Sequence, residues 1–203
     1  MIFTTTNLGK RFNREWIFRN FNYTFQPGVY AITGPNGSGK STLLQVLCGQ
    51  LPESIGQLHY KDDTDIPVED IYQHLAIATP YMDLIEEFTL REILKFHFSF
   101  KKTRQGKSLD ELIDLLELGH AKDKKISHFS SGMKQRVKLG LAIFSDVKML
   151  FLDEPTTNLD RHSVAWYWKH FNELEGKSLI FIGSNLENEY PPQATKINLM
   201  DYK

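Results

Sequence analysis

The 203 residues suffice for one domain with a substantial core and leave too little chain for two large ones. Lysine and arginine number 24 against 25 aspartates and glutamates, a formal net charge of −1, so no global field recruits nucleic acid or an anionic membrane. A single cysteine, Cys48, excludes an internal disulfide and a cysteine-cluster metal site, and fits a reducing compartment as a packed core thiol. No secretory signal pattern opens the sequence and no apolar run approaches bilayer length, so any membrane-spanning part is expected on a separate chain.

In chain order, Ile2–Thr6 and Trp16–Phe18 are β-prone around a polar bend at Asn13-Arg14, and Asn22–Phe25 ends at the turn signal Pro27-Gly28. This segment reads as mostly antiparallel sheet. Its aromatics, Phe12 and Trp16 among them, suit either packing on the sheet or stacking on a purine. Val29–Thr33 then enters Gly34-Pro35-Asn36-Gly37-Ser38-Gly39-Lys40-Ser41, and Thr42–Leu47 leaves it as a helix. Gly49 to Asp70 is turn-rich and acidic, and Ile71–Ala78 is β-prone up to Pro80. Thr89 with Glu92 and Ser108 with Glu111 are capping boxes. The first opens a helix with Leu90, Ile93, Leu94 and His97 or Phe98 on one face; the second opens one with Leu109, Leu112, Ile113 and Leu116. The basic run Lys101 to Lys107 between them reads as a solvated loop, with no aromatic interleaving of the kind that binds nucleic acid. The last third alternates strand and helix. It has an apolar strand Met149–Leu152 and a helix from Arg161 to Glu173, with Val164, Trp168, Phe171 and Leu174 inward. The strands Ser178–Ile182 and Lys196–Met200 follow. Such alternation implies a mostly parallel sheet covered on both faces.

Three stretches carry chemistry. Gly34 to Ser41 fits G-x-x-x-x-G-K-[ST] between a strand and a helix: glycines turn backbone N–H groups into an anion nest, Lys40 reaches the β- and γ-phosphates and the Ser41 hydroxyl suits Mg²⁺. That predicts binding of a nucleoside triphosphate. Asp153-Glu154 closes the apolar strand, where one carboxylate suits the same cation and its neighbour suits polarising water for in-line attack. Phe129 to Arg136 holds a second helix start with a serine-glycine turn. One nucleotide has no use for two such anion sites from one chain, whereas a head-to-tail pair of chains uses both.

With these motifs in this order, the chain resembles the nucleotide-binding subunits of ATP-binding cassette (ABC) transporters over essentially its whole length. Gly34 to Thr42 resembles the Walker A motif, Phe129 to Met133 the signature, Leu150 to Glu154 the Walker B strand and Pro155 to Asp160 the D-loop. The resemblance implies an α/β P-loop fold with a mostly parallel core sheet, an antiparallel β subdomain and an inserted helical subdomain. Residues 1–82 with 148–203 would form the nucleotide-binding core, and 83–147 the helical subdomain with the signature. It further implies ATP and Mg²⁺ as cofactors, Phe12 on the adenine, Ser130 and Gly132 on the partner's γ-phosphate, Asp160 at the nucleotide, and Ser41 and Asp153 as metal ligands. Lys40 and Glu154 would be catalytic. The implied partners are a second nucleotide-binding subunit, identical or not, and a separately encoded transmembrane permease that holds the chain at the inner face of the cell membrane from the cytoplasm. No nucleic acid is implied. In size and layout the chain is similar to the small ATPase of the cytochrome c biogenesis haem exporter, and export is the expected direction.

Three positions depart from the family pattern. Met133 replaces the signature glutamine in a form similar to export-type ATPases. Tyr81 stands where the family places a glutamine that contacts metal and water, and a phenol mimics an amide poorly. Asn185 stands in place of the switch histidine; it can donate to a γ-phosphate oxygen but does not titrate. The last two predict slow hydrolysis, since loss of one aligned donor typically costs ~10²–10³-fold in rate. The second reading is accordingly a hydrolysis-poor regulatory or structural subunit beside a competent ATPase. A third, a soluble ABC ATPase of translation or DNA repair, lacks the tandem cassettes or long coiled coils of such proteins.

Overall fold

The computed structural model describes residues 1–174, 176 and 178–203. Among these residues nine strands run β1 (Ile2–Phe12), β2 (Glu15–Phe25), β3 (Gly28–Thr33), β4 (Ile55–Lys61), β5 (Asp65–Ile66), β6 (Leu75–Ala78), β7 (Met149–Asp153), β8 (Leu179–Gly183) and β9 (Thr195–Asn198). The five α-helices are α1 (Lys40–Leu47), α2 (Leu90–Phe100), α3 (Leu109–Leu115), α4 (Ser131–Ile143) and α5 (Arg161–Asn172). They fall into two compact units. The first comprises Met1–Leu75, Lys148–Glu154 and Glu175–Lys203, and the second Ala76–Val147 and Pro155–Leu174.

The first unit holds the antiparallel sheet and four strands of the other. β1 and β2 form an antiparallel hairpin turning at Asn13-Arg14, as the polar bend predicts, and each continues for eleven residues through the shorter β-prone runs. β4 pairs antiparallel with the other edge of β1 and β5 with β4. β4 is a strand inside the stretch expected to be turns. Only Tyr60 of its seven residues is buried, so its state comes from pairing with β1, not from its own composition. β7, β8, β3 and β9 lie side by side, all parallel. Burial on every residue of β7 and β8 explains their unbroken apolar sequence. Phe181 of β8 stacks on Phe151 of β7 at 4.8 Å and meets Phe25 edge-on at 4.9 Å, while Phe3 stacks on Tyr60 at 4.5 Å. Cys48, just past α1, is buried as expected, and burial pushes its thiol up to about 11. Residues Ile71–His74 form a 3₁₀ helix and only Leu75–Ala78 is strand, so the β-prone run is half helical.

The second unit is helical apart from the short β6 residues. Both capping boxes form: Thr89 and Ser108 each accept from the N–H three residues on, and Glu92 and Glu111 reach back to their backbones. Leu90, Ile93 and Leu94 of α2 and Leu112 and Ile113 of α3 face inward, as their spacing predicts. α5 bears out half of the expected face: Phe171 and Leu174 are buried as predicted, whereas Val164 and Trp168 are not. Ser163, Trp166, Tyr167, His170 and Phe171 are buried, while Val164 and Trp168 are half-buried. The Trp166 indole donates to Leu115 O at 2.6 Å, which fixes the rotation of the helix. The basic run is anchored. Arg104 donates to Ile143 O at 3.3 Å and Ser145 O at 3.2 Å, neutralising orphan carbonyls past the end of α4.

His97 of α2 sits 3.0 Å from Ser145 Oγ, which itself donates to Leu141 O. Burial, aided by the Lys101 charge and opposed by a backbone contact, lowers the imidazole from 6.5 to about 4. The unfolded chain therefore takes this proton first. Stability falls as pH drops from about 6.5 to about 4, by roughly 2–3 kcal/mol from this residue, and then levels. Melting temperatures from pH 7 to pH 4 are expected to fall more steeply for wild type than for His97→Gln; parallel curves would remove His97 from the acid response.

Candidate functional site: a phosphate loop and a serine-glycine helix start

β3 feeds directly into the phosphate loop and α1 leaves it. Gly39 precedes α1 with φ 103°, and a Cβ there would sit 2.2 Å from Ile17 Cγ2, so conformation and crowding both demand glycine. Within the loop Ser38 N donates to Pro35 O at 3.0 Å. Lys40 is only 7 % exposed, and its ammonium rests on Gly34 O at 2.9 Å and Pro35 O at 3.3 Å. A cation folded onto carbonyls of the loop it belongs to is poised to trade them for phosphate oxygens. Ser38 Oγ is buried with no hydrogen-bond partner, and Lys203 donates to Ser38 O at 2.7 Å. Thr42 follows Ser41 in the first turn of α1.

β7 delivers Asp153 and Glu154. Asp153 is 2 % exposed and its Oδ1 has no hydrogen-bond partner. Burial raises its pKa above the usual carboxylate range, followed by a hydrogen bond from Ser41 that opposes this and by the Glu154 charge, which adds to it. The Ser41 hydroxyl is thus among the groups that act on the Asp153 carboxylate. A buried, incompletely bonded carboxylate beside a hydroxyl is a hard-oxygen donor pair that suits Mg²⁺, an ion that completes its shell with water and phosphate. Among the described residues no group of three or more His, Cys, Asp or Glu could hold a metal ion. Glu154 adopts φ 45°, a costly backbone for this residue type, and donates its N–H to Gly183 O at 2.9 Å. Beyond β8, the Asn185 side chain donates to Asn36 Oδ1 at 2.7 Å. Phe12, at the tip of the β1–β2 hairpin, is 47 % exposed with the Lys10 ammonium 5.2 Å over its ring. The first unit therefore carries Phe12, Gly34 to Thr42, Asp153, Glu154 and Asn185.

Ser130, Gly132 and Asp160 belong to the second unit. Ser130 caps α4, accepting from Met133 N at 3.2 Å. Gly132 leaves room for the Asn158 carbonyl, which a Cβ would approach to 2.9 Å. Asp160 caps α5, accepting from Ser163 N at 2.7 Å, and that bond holds its carboxyl below the usual range. These residues line a cavity of about 370 Å³ with Glu117, Met133 and Arg136. The Arg136 guanidinium is spent inside the unit, on Ser163 Oγ, on Glu117 at 3.3 Å and over the Trp166 ring. Tyr81 is 71 % exposed, and the carbonyl of Pro80 before it accepts from Lys138 of α4 at 3.1 Å. Sequence reasoning missed the Lys138 clamp and the Asn36–Asn185 bond. A lysine on an otherwise apolar helix turn was the available signal for the first.

The family pattern described as "ABC transporter" matches residues 18–157. The chain belongs to the ABC transporter family. Among ABC relatives, the ATP-binding protein YybJ of Bacillus subtilis is 31 % identical over 79 % of this chain and 74 % of its own length. The Nod factor export ATP-binding protein I of Burkholderia lata is 30 % identical over 86 % of this chain and 60 % of its own. The ribose import ATP-binding protein RbsA of Hahella chejuensis is 27 % identical over 91 % and 39 %. The chain thus spans less than two thirds of the last two. A Pyrococcus furiosus protein described as an ABC transporter ATP-binding protein superposes with a TM-score of 0.82 at 22 % identity over the whole of both chains. The ATP-binding cassette MJ0796, in a dimeric post-hydrolysis state bound to ADP and Pi, gives 0.78 at 20 % over 93 % and 89 %. At these identities the likeness is one of fold: the chain has the ABC ATPase cassette fold, and its parallel and antiparallel sheets with helices match the expected architecture. No helix among the described residues is long and apolar enough to cross a membrane.

Proposed function

We propose that the chain is the ATP-binding and ATP-hydrolysing subunit of an ABC transporter. Two such cassettes, identical or not, close around ATP and drive a separately encoded transmembrane subunit from the cytoplasmic face, in the direction of export. The observation that carries this reading is the buried Asp153 carboxylate at the end of β7, whose Oδ1 has no hydrogen-bond partner, with Glu154 next in sequence. The N–H groups of Gly37 to Ser41 cradle the phosphates, and Lys40 exchanges the Gly34 and Pro35 carbonyls for β- and γ-phosphate oxygens. Ser41 and Asp153 would hold Mg²⁺, which when bound offsets charge on those oxygens. Glu154 orients and polarises the attacking water, and Asn185 offers an N–H to the γ-phosphate. Phe12 stacks on adenine, while Ser130 and Gly132, with Asp160 nearby, serve the nucleotide held by the second cassette. Residues 83–147, between the core segments 1–82 and 148–203, pass closure to the membrane subunit. Export is supported by the Nod factor export relatives and by the form of the signature at Met133; the relative named for ribose import is the counterweight.

Phosphate release from ATP by the purified chain tests the assignment, and a chain that neither retains nor turns over ATP with Mg²⁺ would end it. Tyr81 and Asn185 make turnover slow. Asn185→His restores a donor that can carry charge and is expected to raise kcat several-fold, up to about 10²-fold. It also introduces a pH-dependent limb near pH 6–7, absent from the wild-type profile at this position. A brisk wild type indifferent to the change would remove Asn185 as the cause.

A further inference from the structure

Asn185 can help a γ-phosphate only with one end of its amide. The NH₂ end donates to an anion, while the carbonyl end repels it, and the two interchange by a half-turn about the last side-chain bond. The backbone beneath it is well fixed. Ser184 N donates to Ile32 O at 3.1 Å, the Ser184 hydroxyl accepts from Leu186 N at 2.8 Å, and it donates to the buried Glu189 carboxylate. The amide itself is held from the phosphate loop, through the 2.7 Å bond from Asn185 Nδ2 to Asn36 Oδ1. One hydrogen of Nδ2 is thereby committed to Asn36, and the other is directed away from it on the same side of the amide. Both asparagines are exposed, where a single hydrogen bond contributes little to folding, so the bond's main effect is on orientation.

We propose that Asn36 is a positioning residue: it holds the Asn185 amide with its N–H end toward the γ-phosphate and lets an uncharged side chain do the work of a phosphate donor. The proposal rests on the ATPase reading above. It predicts that Asn36→Ala lowers kcat about 10-fold while KM for ATP stays within about twofold, because the exposed side chain then spreads over other rotamers as well as the reversed amide. Asn36→Ala added to Asn185→Ala is expected to cost nothing further, since there is no amide left to orient. In an Asn185→His background at pH 6, where a protonated imidazole donates from both nitrogens, Asn36→Ala is expected to change kcat less than about twofold.

Steady-state kcat and KM for ATP of the five variants and wild type decide the matter. Losses that multiply in the double variant, a kcat unmoved by Asn36→Ala, or a rise in KM alone would each overturn the proposal, the last by assigning Asn36 to ground-state phosphate binding. A general loss of folding lowers apparent kcat at unchanged KM, but it persists when Asn36→Ala is added to Asn185→Ala, so the cycle between the two sites separates it from the expected result. Failure of the wild type to bind labelled ATP is a different outcome. It removes the ATPase reading itself, and this proposal with it, before any variant is compared.

Discussion

Glu154→Gln is expected to lower kcat for ATP by about 10²–10³-fold with little change in ATP affinity. Glutamine has the shape and reach of glutamate but cannot take a proton from water. The substitution also leaves the backbone alone: Glu154 holds φ 45° and its N–H lies on Gly183 O, a contact made by the main chain. A non-glycine residue kept in that region at the end of a buried strand points to a demand on where its side chain is aimed. The variant should therefore accumulate in its ATP-bound form. With Mg²⁺ and ATP, light scattering is expected to show a two-chain species that ADP does not produce, because in the proposed cycle closure needs the γ-phosphate and reopening needs its removal. If Glu154→Gln turns over ATP at the wild-type rate, another group polarises the water. If it is slow but stays a single chain with ATP, the sandwich arrangement is what fails.

The parts of this site that are legible in sequence are those whose chemistry is local. The phosphate loop is a run of eight residues because backbone N–H groups must converge on one anion. Its glycines are where φ is positive or a neighbour intrudes, as at Gly39 against Ile17. The apolar strand β7 ending in two acids is legible because burial on both faces leaves no polar positions until the chain reaches the ligand end. The capping boxes at Thr89 and Ser108 are equally local. Long-range pairing is what composition conceals. β4 reads as turns because Gly56 and the surrounding acids are turn residues, yet β1 supplies its hydrogen bonds from more than forty residues away. α5 shows the same limit in rotation. Phe171 and Leu174 are buried as their spacing predicts, but the indole bond from Trp166 to Leu115 O and the Arg136 contact with Ser163 turn Trp166 and Ser163 inward in place of Val164 and Trp168. The bond between Asn36 and Asn185 joins residues 149 apart, and no local pattern announces it.

The same long-range packing makes Phe181→Ala the substitution with the largest expected cost to stability. Phe181 is fully buried at the middle of β8. Its ring stacks on Phe151 at 4.8 Å and on Tyr30 at 5.5 Å, and meets Phe25 at 4.9 Å and Phe3 at 6.1 Å edge-on. Truncation to alanine removes the ring and leaves a gap walled by four rigid aromatics on two strands and the hairpin, which have little freedom to close it. A loss of about 3–5 kcal/mol follows from the lost burial and the unfilled cavity together. For a chain of this length that is a fall in melting temperature of roughly 6–20 °C. Phe181→Leu keeps most of the volume and should lose less than half as much. The consequence for function is separable from the chemistry. β8 carries Gly183, whose carbonyl holds the Glu154 N–H, and leads into Ser184 and Asn185. Activity of Phe181→Ala should therefore fall with the folded fraction as temperature or urea rises, while kcat per folded chain at low temperature stays near wild type. A measured loss below about 1 kcal/mol would mean that the aromatic cluster repacks, and that the stability of the first unit resides elsewhere than in this ring.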